Sequence, residues 1–347
     1  MAGYQHMKER LDQGEVLILD GAIGTELQAM GVPMHPIAWC GEALYTQPYT
    51  VRQMHERYIR AGADIISTDT FSTLRHVLEA SGYGNMAREI NIRSVYLAQE
   101  ARDRAAGGRP VYIAGVMSNF GVGRSDRTGA LWGGSVNGYE LRSDQAAVYY
   151  DELSDILAEA GVDFFLLENL SNQEHRILAL RAAIATGLPV WVGFGGVYTA
   201  PNEYDEAGRT DYVVPHQDRE DDDRPLGLWD VKYPDLTLED GLGEVLAEGD
   251  VDGLTVLHSP IPAQTRAIAY VAKRFDGPVA CYPDAGRTDY VVPHQNQMVP
   301  NEYDVDSFVA EAKKWVDMGT QVIGGCCGYG PDYIKPLRDA LPSKVTV

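Results

Sequence analysis

The sequence predicts a single (β/α)8 barrel, and three observations carry that prediction. Eight short apolar runs recur along the 347 residues, and nearly all of them close on polar or cysteine residues. Between them lie helical patterns with apolar residues at three- and four-residue spacing. Strand then helix, eight times over, is what a closed parallel barrel requires. A doubly wound open sheet is the alternative, and it would spread the same residues along a crevice.

Taken in order, Val16 to Leu19 closes on Asp20-Gly21, and Asp64 to Ser67 leads to Thr68-Asp69-Thr70. Val111 to Val116 leads to Ser118-Asn119, and Phe164 to Leu167 to Glu168-Asn169. Pro189 to Phe194 is the fifth run, Gly253 to Leu257 ends at His258, Pro278 to Cys281 ends at Tyr282, and Gln321 to Gly325 ends at Cys326. Helices are expected over Thr50 to Ala61, Asp144 to Ala160, Gln173 to Ala185, Ala263 to Arg274 and Asp306 to Met318. In a barrel the carboxyl ends of the strands converge on one face. Asp20, Thr68, Thr70, Asn119, Glu168, His258, Cys326 and Cys327 would then share a site that the sequence scatters.

One region breaks the rhythm. From about Gly195 to Pro234 an acidic segment bearing Pro and Gly shows no helical pattern, and insertions of this length are commonly lids or surface loops. It contains AGRTDYVVPHQ at Ala207 to Gln217, which recurs at Ala285 to Gln295, and PNEYD at Pro201 to Asp205, which recurs at Pro300 to Asp304. The two pieces exchange order between copies, so stacked repeats are not the reading. Two Tyr-Val-Val runs pairing over the barrel mouth is one expectation, and two separate surface loops the other.

Composition narrows the function classes. No apolar run approaches bilayer length, and Met1 to Leu11 carries charges without an apolar signal core, so a cytoplasmic protein is expected. The formal charge of −21 disfavours nucleic acid and anionic membranes and suits a solvated coat. Four cysteines, two of them adjacent, are no disulfide framework.

Cys326 and Cys327 follow Val322-Ile323-Gly324-Gly325, a strand breaking into paired glycines. Adjacent cysteines seldom bridge each other, because a disulfide wants a longer Cα separation than trans neighbours provide. Two thiolates form half of a tetrahedral zinc shell, and a third ligand with one open position would make it catalytic. The bland alternative is a pair of buried apolar cysteines. His258 is the candidate third ligand, since neutral imidazole binds zinc well. Cys40 and Cys281 are weaker candidates. Thiolate ligands make zinc a poorer acid for water, which favours activation of a substrate thiol. Asp20 and Glu168 would together hold an ammonium group, and the Thr68 and Thr70 hydroxyls with nearby amides a carboxylate. Helix capping or an ion pair to a wall residue is the structural alternative for the carboxylates.

These residues also carry a resemblance. Asp20-Gly21-Ala22-Ile23-Gly24-Thr25-Glu26-Leu27, Ala61-Gly62-Ala63-Asp64 with Thr68-Asp69-Thr70-Phe71, Tyr282-Pro283-Asp284-Ala285-Gly286, and Ile323-Gly324-Gly325-Cys326-Cys327-Gly328 resemble the zinc-dependent homocysteine S-methyltransferases, in order and over nearly the whole chain. The resemblance implies a (β/α)8 barrel, zinc held by three protein sulfurs, and methyl transfer to the homocysteine thiolate. It adds Gly21, Glu26 and Trp39 to Thr68, Thr70 and Asn119 as substrate contacts. Three departures stand out. His258 in Val256-Leu257-His258 occupies the place of the family's first cysteine ligand; Met117-Ser118-Asn119-Phe120-Gly121 replaces a Gly-Pro-Tyr-Gly turn; and Glu168-Asn169 replaces Glu-Thr. Members that take betaine box its quaternary ammonium with aromatic rings. Trp39 matches one wall, but Ser72 and Asn169 stand where tyrosines are expected. That points to a sulfonium donor, or to rings supplied by Tyr198, Tyr204 or Tyr212.

The expected function is therefore zinc-dependent transfer of a methyl group from a small sulfonium or ammonium donor to a thiol, homocysteine first, giving methionine. Zinc would sit on His258, Cys326 and Cys327. A metal-dependent lyase or hydrolase on the same barrel, and a metal-free ligand-binding barrel, are the alternatives. The partners implied are a small thiol and a methyl donor, with homo-oligomerisation open.

Overall fold

Alternation of side chains along each strand decides what enters the barrel. In the computed structural model the described residues are 2–120, 141–195, 197–198, 225–228, 230, 233, 235–259, 261–284 and 303–345. The strands are β1 (Leu17–Ile18), β2 (Ile65–Ser67), β3 (Tyr112–Met117), β4 (Phe164–Leu167), β5 (Val190–Gly195), β6 (Val197–Tyr198), β7 (Gly227–Leu228), β8 (Gly253–Leu257), β9 (Val279–Tyr282) and β10 (Val322–Ile323). Eight of them form one parallel sheet in the order β1-β10-β9-β8-β5-β4-β3-β2. A parallel bridge between Leu19 and Ile65 brings β1 to β2 and closes the ring.

That last seam has little ladder to hold it, because β1 and β2 are short. Aspartates reinforce it at both ends. The Ile18 amide donates to Asp64 Oδ2 at 2.9 Å on the amino side, and the Ser67 amide donates to Asp20 Oδ2 at 2.8 Å on the carboxyl side. The Arg338 guanidinium pairs with the same Asp64 carboxylate.

Tyr112, Ala114 and Val116 of β3, Phe164 and Leu166 of β4, and Trp191 of β5 point inward and pack with Leu17, Leu19, Ile65, Leu257, Ala280, Tyr282 and Val322 as the barrel filling. Their alternates Ile113, Met117, Phe165, Leu167 and Val192 point outward against the helices. The helices are α1 (Ala2–Asp12), α2 (Gly24–Ala29), α3 (Ala43–Thr46), α4 (Pro48–Ala61), α5 (Arg75–Ala80), α6 (Ala87–Ala105), α7 (Ser143–Ala160), α8 (Gln173–Ala185), α9 (Leu238–Glu248), α10 (Ile261–Val271), α11 (Val305–Asp317) and α12 (Pro331–Ala340). Helix α1, which the charged N-terminus concealed, plugs the amino end of the barrel with Tyr4, Met7 and Leu11. Trp191 Nε1 donates to Tyr4 Oη at 3.0 Å. The opposite mouth is left for function.

The irregular segment after the fifth barrel strand begins and ends in an antiparallel pair, with Val197 opposite Leu228 and Tyr198 opposite Gly227. The two AGRTDYVVPHQ copies, Tyr204, Tyr212 and the Tyr198 side chain lie outside the described residues. Among the described residues, no helix is long and apolar enough to cross a membrane.

Candidate active site

Each strand end delivers its residue to the mouth by a backbone turn. β1 ends at Asp20-Gly21, where the Asp20 carbonyl accepts from the Gly325 amide at 3.2 Å and the Ala22 amide donates to the Tyr329 carbonyl at 3.1 Å. A side chain at Gly21 would put its Cβ 2.1 Å from that Tyr329 oxygen, so only glycine fits here. The Cys326 amide donates to the Pro283 carbonyl at 2.8 Å, joining the cysteine turn to the turn after β9. His258 ends β8 with φ of 48°, a left-handed conformation rare outside glycine, and its amide donates to the Tyr282 carbonyl at 3.3 Å.

The result is a metal-like cluster of four residues. One donor atom each from His258, Asp284, Cys326 and Cys327 lies within 4.8 Å of the other three. His258 Nδ1 is 3.7 Å from Cys326 Sγ and 2.7 Å from Asp284 Oδ2. The neighbouring Cys327 thiol and burial both push the Cys326 thiol well above its ordinary range. Burial works against charge on His258, but the Asp284 carboxylate overrides it and raises the imidazole well above its usual value. Sulfur and imidazole donors beside a buried carboxylate fit a soft or borderline dication and suit magnesium or calcium poorly. A coordinated dication would reverse the thiol shift by deprotonating both sulfurs. Cys40 and Cys281 stand apart: Cys40 donates to Asp69 Oδ1 at 3.2 Å, and Cys281 accepts from Gln264 Nε2 at 3.0 Å.

Two carboxylates flank the cluster. Glu168 is pushed up to about 7 by desolvation, against a lowering by Tyr282 and His258. Asp20 is raised well above its ordinary value by burial, with Glu168 adding to the rise and Ser67 opposing it. Asp20 thus serves the seam and the mouth together, since Ser67 Oγ donates to its Oδ1 at 3.0 Å. A ligand cation between the pair would let both ionise.

Other expected contacts separate. Val116 donates its amide to Thr68 Oγ1 at 2.9 Å, and Thr70 Oγ1 donates to the Val116 carbonyl at 2.6 Å. Thr68 therefore gives its own proton to Thr70, 2.7 Å away. This loop binds β2 to β3 and leaves neither hydroxyl a hydrogen for a carboxylate, contrary to the sequence expectation. Glu26 pairs with Arg57 of α4 at 2.5 Å. Asn119 accepts from the Ser171 amide at 3.2 Å while its buried Nδ2 has no hydrogen-bond partner among the described residues, so that amide remains available to a ligand.

Trp39 does form an aromatic wall, but with rings the sequence reading passed over. It stacks on Phe120 with centroids 6.1 Å apart and meets Phe71 edge-on at 6.1 Å, while Phe71 and Phe120 are 5.5 Å apart. Ser118 Oγ holds the pair, donating to the Phe71 carbonyl at 2.5 Å and accepting from the Phe120 amide at 3.0 Å. Both phenylalanines directly follow polar strand-end residues, which is the signal that could have found them. Asp284 was visible in the same way, two residues past the seventh run.

Known proteins resemble this chain over most of its length. The sequence profile of the family described as homocysteine S-methyltransferase matches residues 17–205 and 239–341. Homocysteine S-methyltransferase 4 of Zea mays is 25% identical over 348 residues, covering 95% of this chain and 90% of its own length. The selenocysteine methyltransferase of Astragalus bisulcatus is 25% identical over 360 residues, covering 95% and 94%. Among solved structures, the metallated form of the homocysteine methyltransferase MmuM from Escherichia coli superposes with a TM-score of 0.68 at 20% identity, over 95% of this chain and 97% of that one. That last likeness speaks for the barrel fold.

Proposed function

The chain belongs to the homocysteine S-methyltransferase family, and from that premise we propose that it transfers a methyl group from a small sulfonium or ammonium donor to the thiol of homocysteine, giving methionine. The observation that carries the reading is the meeting, at one barrel mouth, of two thiols and an imidazole with the buried Asp20 carboxylate and the half-buried Glu168. His258, Cys326 and Cys327 are the residues to hold zinc. When bound, zinc supplies acidity toward a thiol, keeping it a thiolate near neutral pH.

The other residues position and desolvate. Glu168 and Asp20 take the α-ammonium of the amino acid, and the Asn119 side-chain amide donates to its carboxylate. The Trp39, Phe71 and Phe120 rings offer π faces to the donor's cation. Because thiolate and onium neutralise each other as methyl moves, excluding water favours the reaction. The selenocysteine named for one relative suggests a selenol as a second acceptor to try.

The test is methionine formation by zinc-loaded protein from homocysteine with S-methylmethionine or betaine as donor. Sulfonium-dependent turnover is expected to exceed betaine turnover. Absence of thiol-dependent methyl transfer from either donor would overturn the proposal.

A further inference from the structure

The loop that presents Trp39 is held by a side chain that the function above leaves unused, His35. We propose that His35 is a positioning residue for the methyl donor: its Nδ1, acting as a hydrogen-bond acceptor, holds the turn that sets the Trp39 ring at the mouth. This rests on the reading in which the Trp39 wall meets the donor's cation, and it adds what fixes that wall.

The turn is defined by its hydrogen bonds. The His35 amide donates to the Trp39 carbonyl at 3.0 Å and the Trp39 amide donates to the His35 carbonyl at 2.9 Å, so the chain doubles back between them. Inside the turn the amides of Ile37 and Ala38 both donate to His35 Nδ1, each at 3.0 Å. A ring nitrogen that accepts two amides carries no hydrogen, so the imidazole is neutral with its proton on Nε2. This is the task usually given to Asn or Asp at the head of a turn, whose side-chain oxygen takes the amides that follow it. The imidazole is itself braced, with Tyr83 edge-on at 6.4 Å.

Trp39 depends on that turn for its direction. It leaves the turn with φ of 45° and ψ of −118°, a conformation that a bulky residue keeps only where its surroundings impose it. The indole does little to hold itself, since its Nε1 has no hydrogen-bond partner among the described residues. From outside, Ser72 ties the turn to the loop that carries Phe71: Ser72 Oγ donates to the Ala38 carbonyl at 2.7 Å and accepts from the Gly41 amide at 3.2 Å. Ser72 thereby sets the distance between Trp39 and Phe71, which meet edge-on. His35 sets the turn from within, and without its acceptor the Ile37 and Ala38 amides lose their partner and the strained Trp39 backbone is free to relax.

The test compares His35→Ala, His35→Asn and His35→Gln in zinc-loaded protein, with circular dichroism verifying the fold. Asn carries its oxygen two bonds from Cβ, as imidazole carries Nδ1, whereas the Gln oxygen lies one bond further out. KM for S-methylmethionine is expected to rise roughly 2–30-fold in the Ala and Gln variants, the worth of a cation–π contact, and to stay near wild type in the Asn variant. Zinc content and KM for homocysteine should hold in all three. A second readout needs no donor. Acrylamide quenching of Trp39 fluorescence, isolated by subtracting the Trp39→Phe protein in each background, should strengthen in the Ala and Gln variants and not in the Asn variant. Unchanged quenching and donor KM in the Ala variant would overturn the proposal, as would an Asn variant no better than Gln, the comparison that decides should the Ala variant fail to fold. Losses of zinc and homocysteine affinity as large as the loss of donor affinity would also overturn it, by reducing His35 to a general support of the fold. Wild-type protein that transfers no methyl group from either donor would instead overturn the preceding section, and the quenching series would still decide whether His35 sets the ring.

Discussion

Cysteine and threonine show how far residue identity alone can be read at this mouth. Cys326→Ser or Cys327→Ser is expected to abolish zinc binding and methyl transfer while leaving the thermal transition nearly unmoved, because a metal at the barrel mouth adds little to the filling below it. His258→Ala should retain weak zinc, since two sulfurs remain. Metal analysis after dialysis checks all three, and equal zinc content throughout would refute the assignment. Thr70→Val makes the opposite forecast. It removes the donor that satisfies the buried Val116 carbonyl, so it should cost about 1–3 kcal/mol of stability and leave KM for homocysteine unchanged. A raised KM at unchanged stability would return Thr70 to substrate binding. Nothing in a threonine's position in the sequence tells whether its proton goes to a carbonyl or to a ligand; the register of β2 against β3 tells it here.

At the scale of elements, two predictions follow from how strands and helices are seated. Gly21→Ala forces a Cβ toward the Tyr329 carbonyl, a backbone atom that cannot rotate away, and should cost about 1–3 kcal/mol in a chemical denaturation series. On α4, His55 is fully buried with neither ring nitrogen hydrogen-bonded among the described residues, and burial lowers it from 6.5 to about 4. A depressed pKa means that the unfolded chain binds the proton first. Stability from this group is therefore complete above about 6.5 and is lost as pH falls toward about 4, by about 3 kcal/mol. His55→Leu should flatten that part of the stability–pH curve, and an unchanged slope between those two pH values would show that other groups set it.

For the molecule as a whole, the barrel separates stability from function by face. α1 plugs the amino end, and the chemistry gathers at the carboxyl end. The irregular segment starts and finishes at paired strands, with Val197 beside Leu228. A short Gly-Ser linker replacing residues 199–224 therefore has little distance to span. Such a variant is expected to fold and to keep its zinc, since the described strand ends that the linker joins are already paired. Circular dichroism and metal analysis check this, and an unfolded or zinc-free product would refute it.

The order of apolar runs, the helical spacing between them and the polar residue at each run's end were enough to derive a barrel with Asp20, Glu168, His258, Cys326 and Cys327 at one mouth, because strand periodicity and strand-end placement are local properties. Partnership is not local. That Asp284 faces His258, that Phe71 and Phe120 complete the Trp39 wall, that Val116 takes the Thr70 proton on its carbonyl and gives its amide to Thr68, and that Glu26 turns to Arg57 all depend on contacts between strands and helices far apart in the chain. Helix α1 was hidden for a related reason: its apolar face is narrow, and only the open barrel end it fills gives Tyr4, Met7 and Leu11 something to bury against. Pattern in a sequence reports what one segment prefers, whereas a hydrogen bond or a metal shell is decided by which other segment arrives, and only closure of the ring brings those segments together.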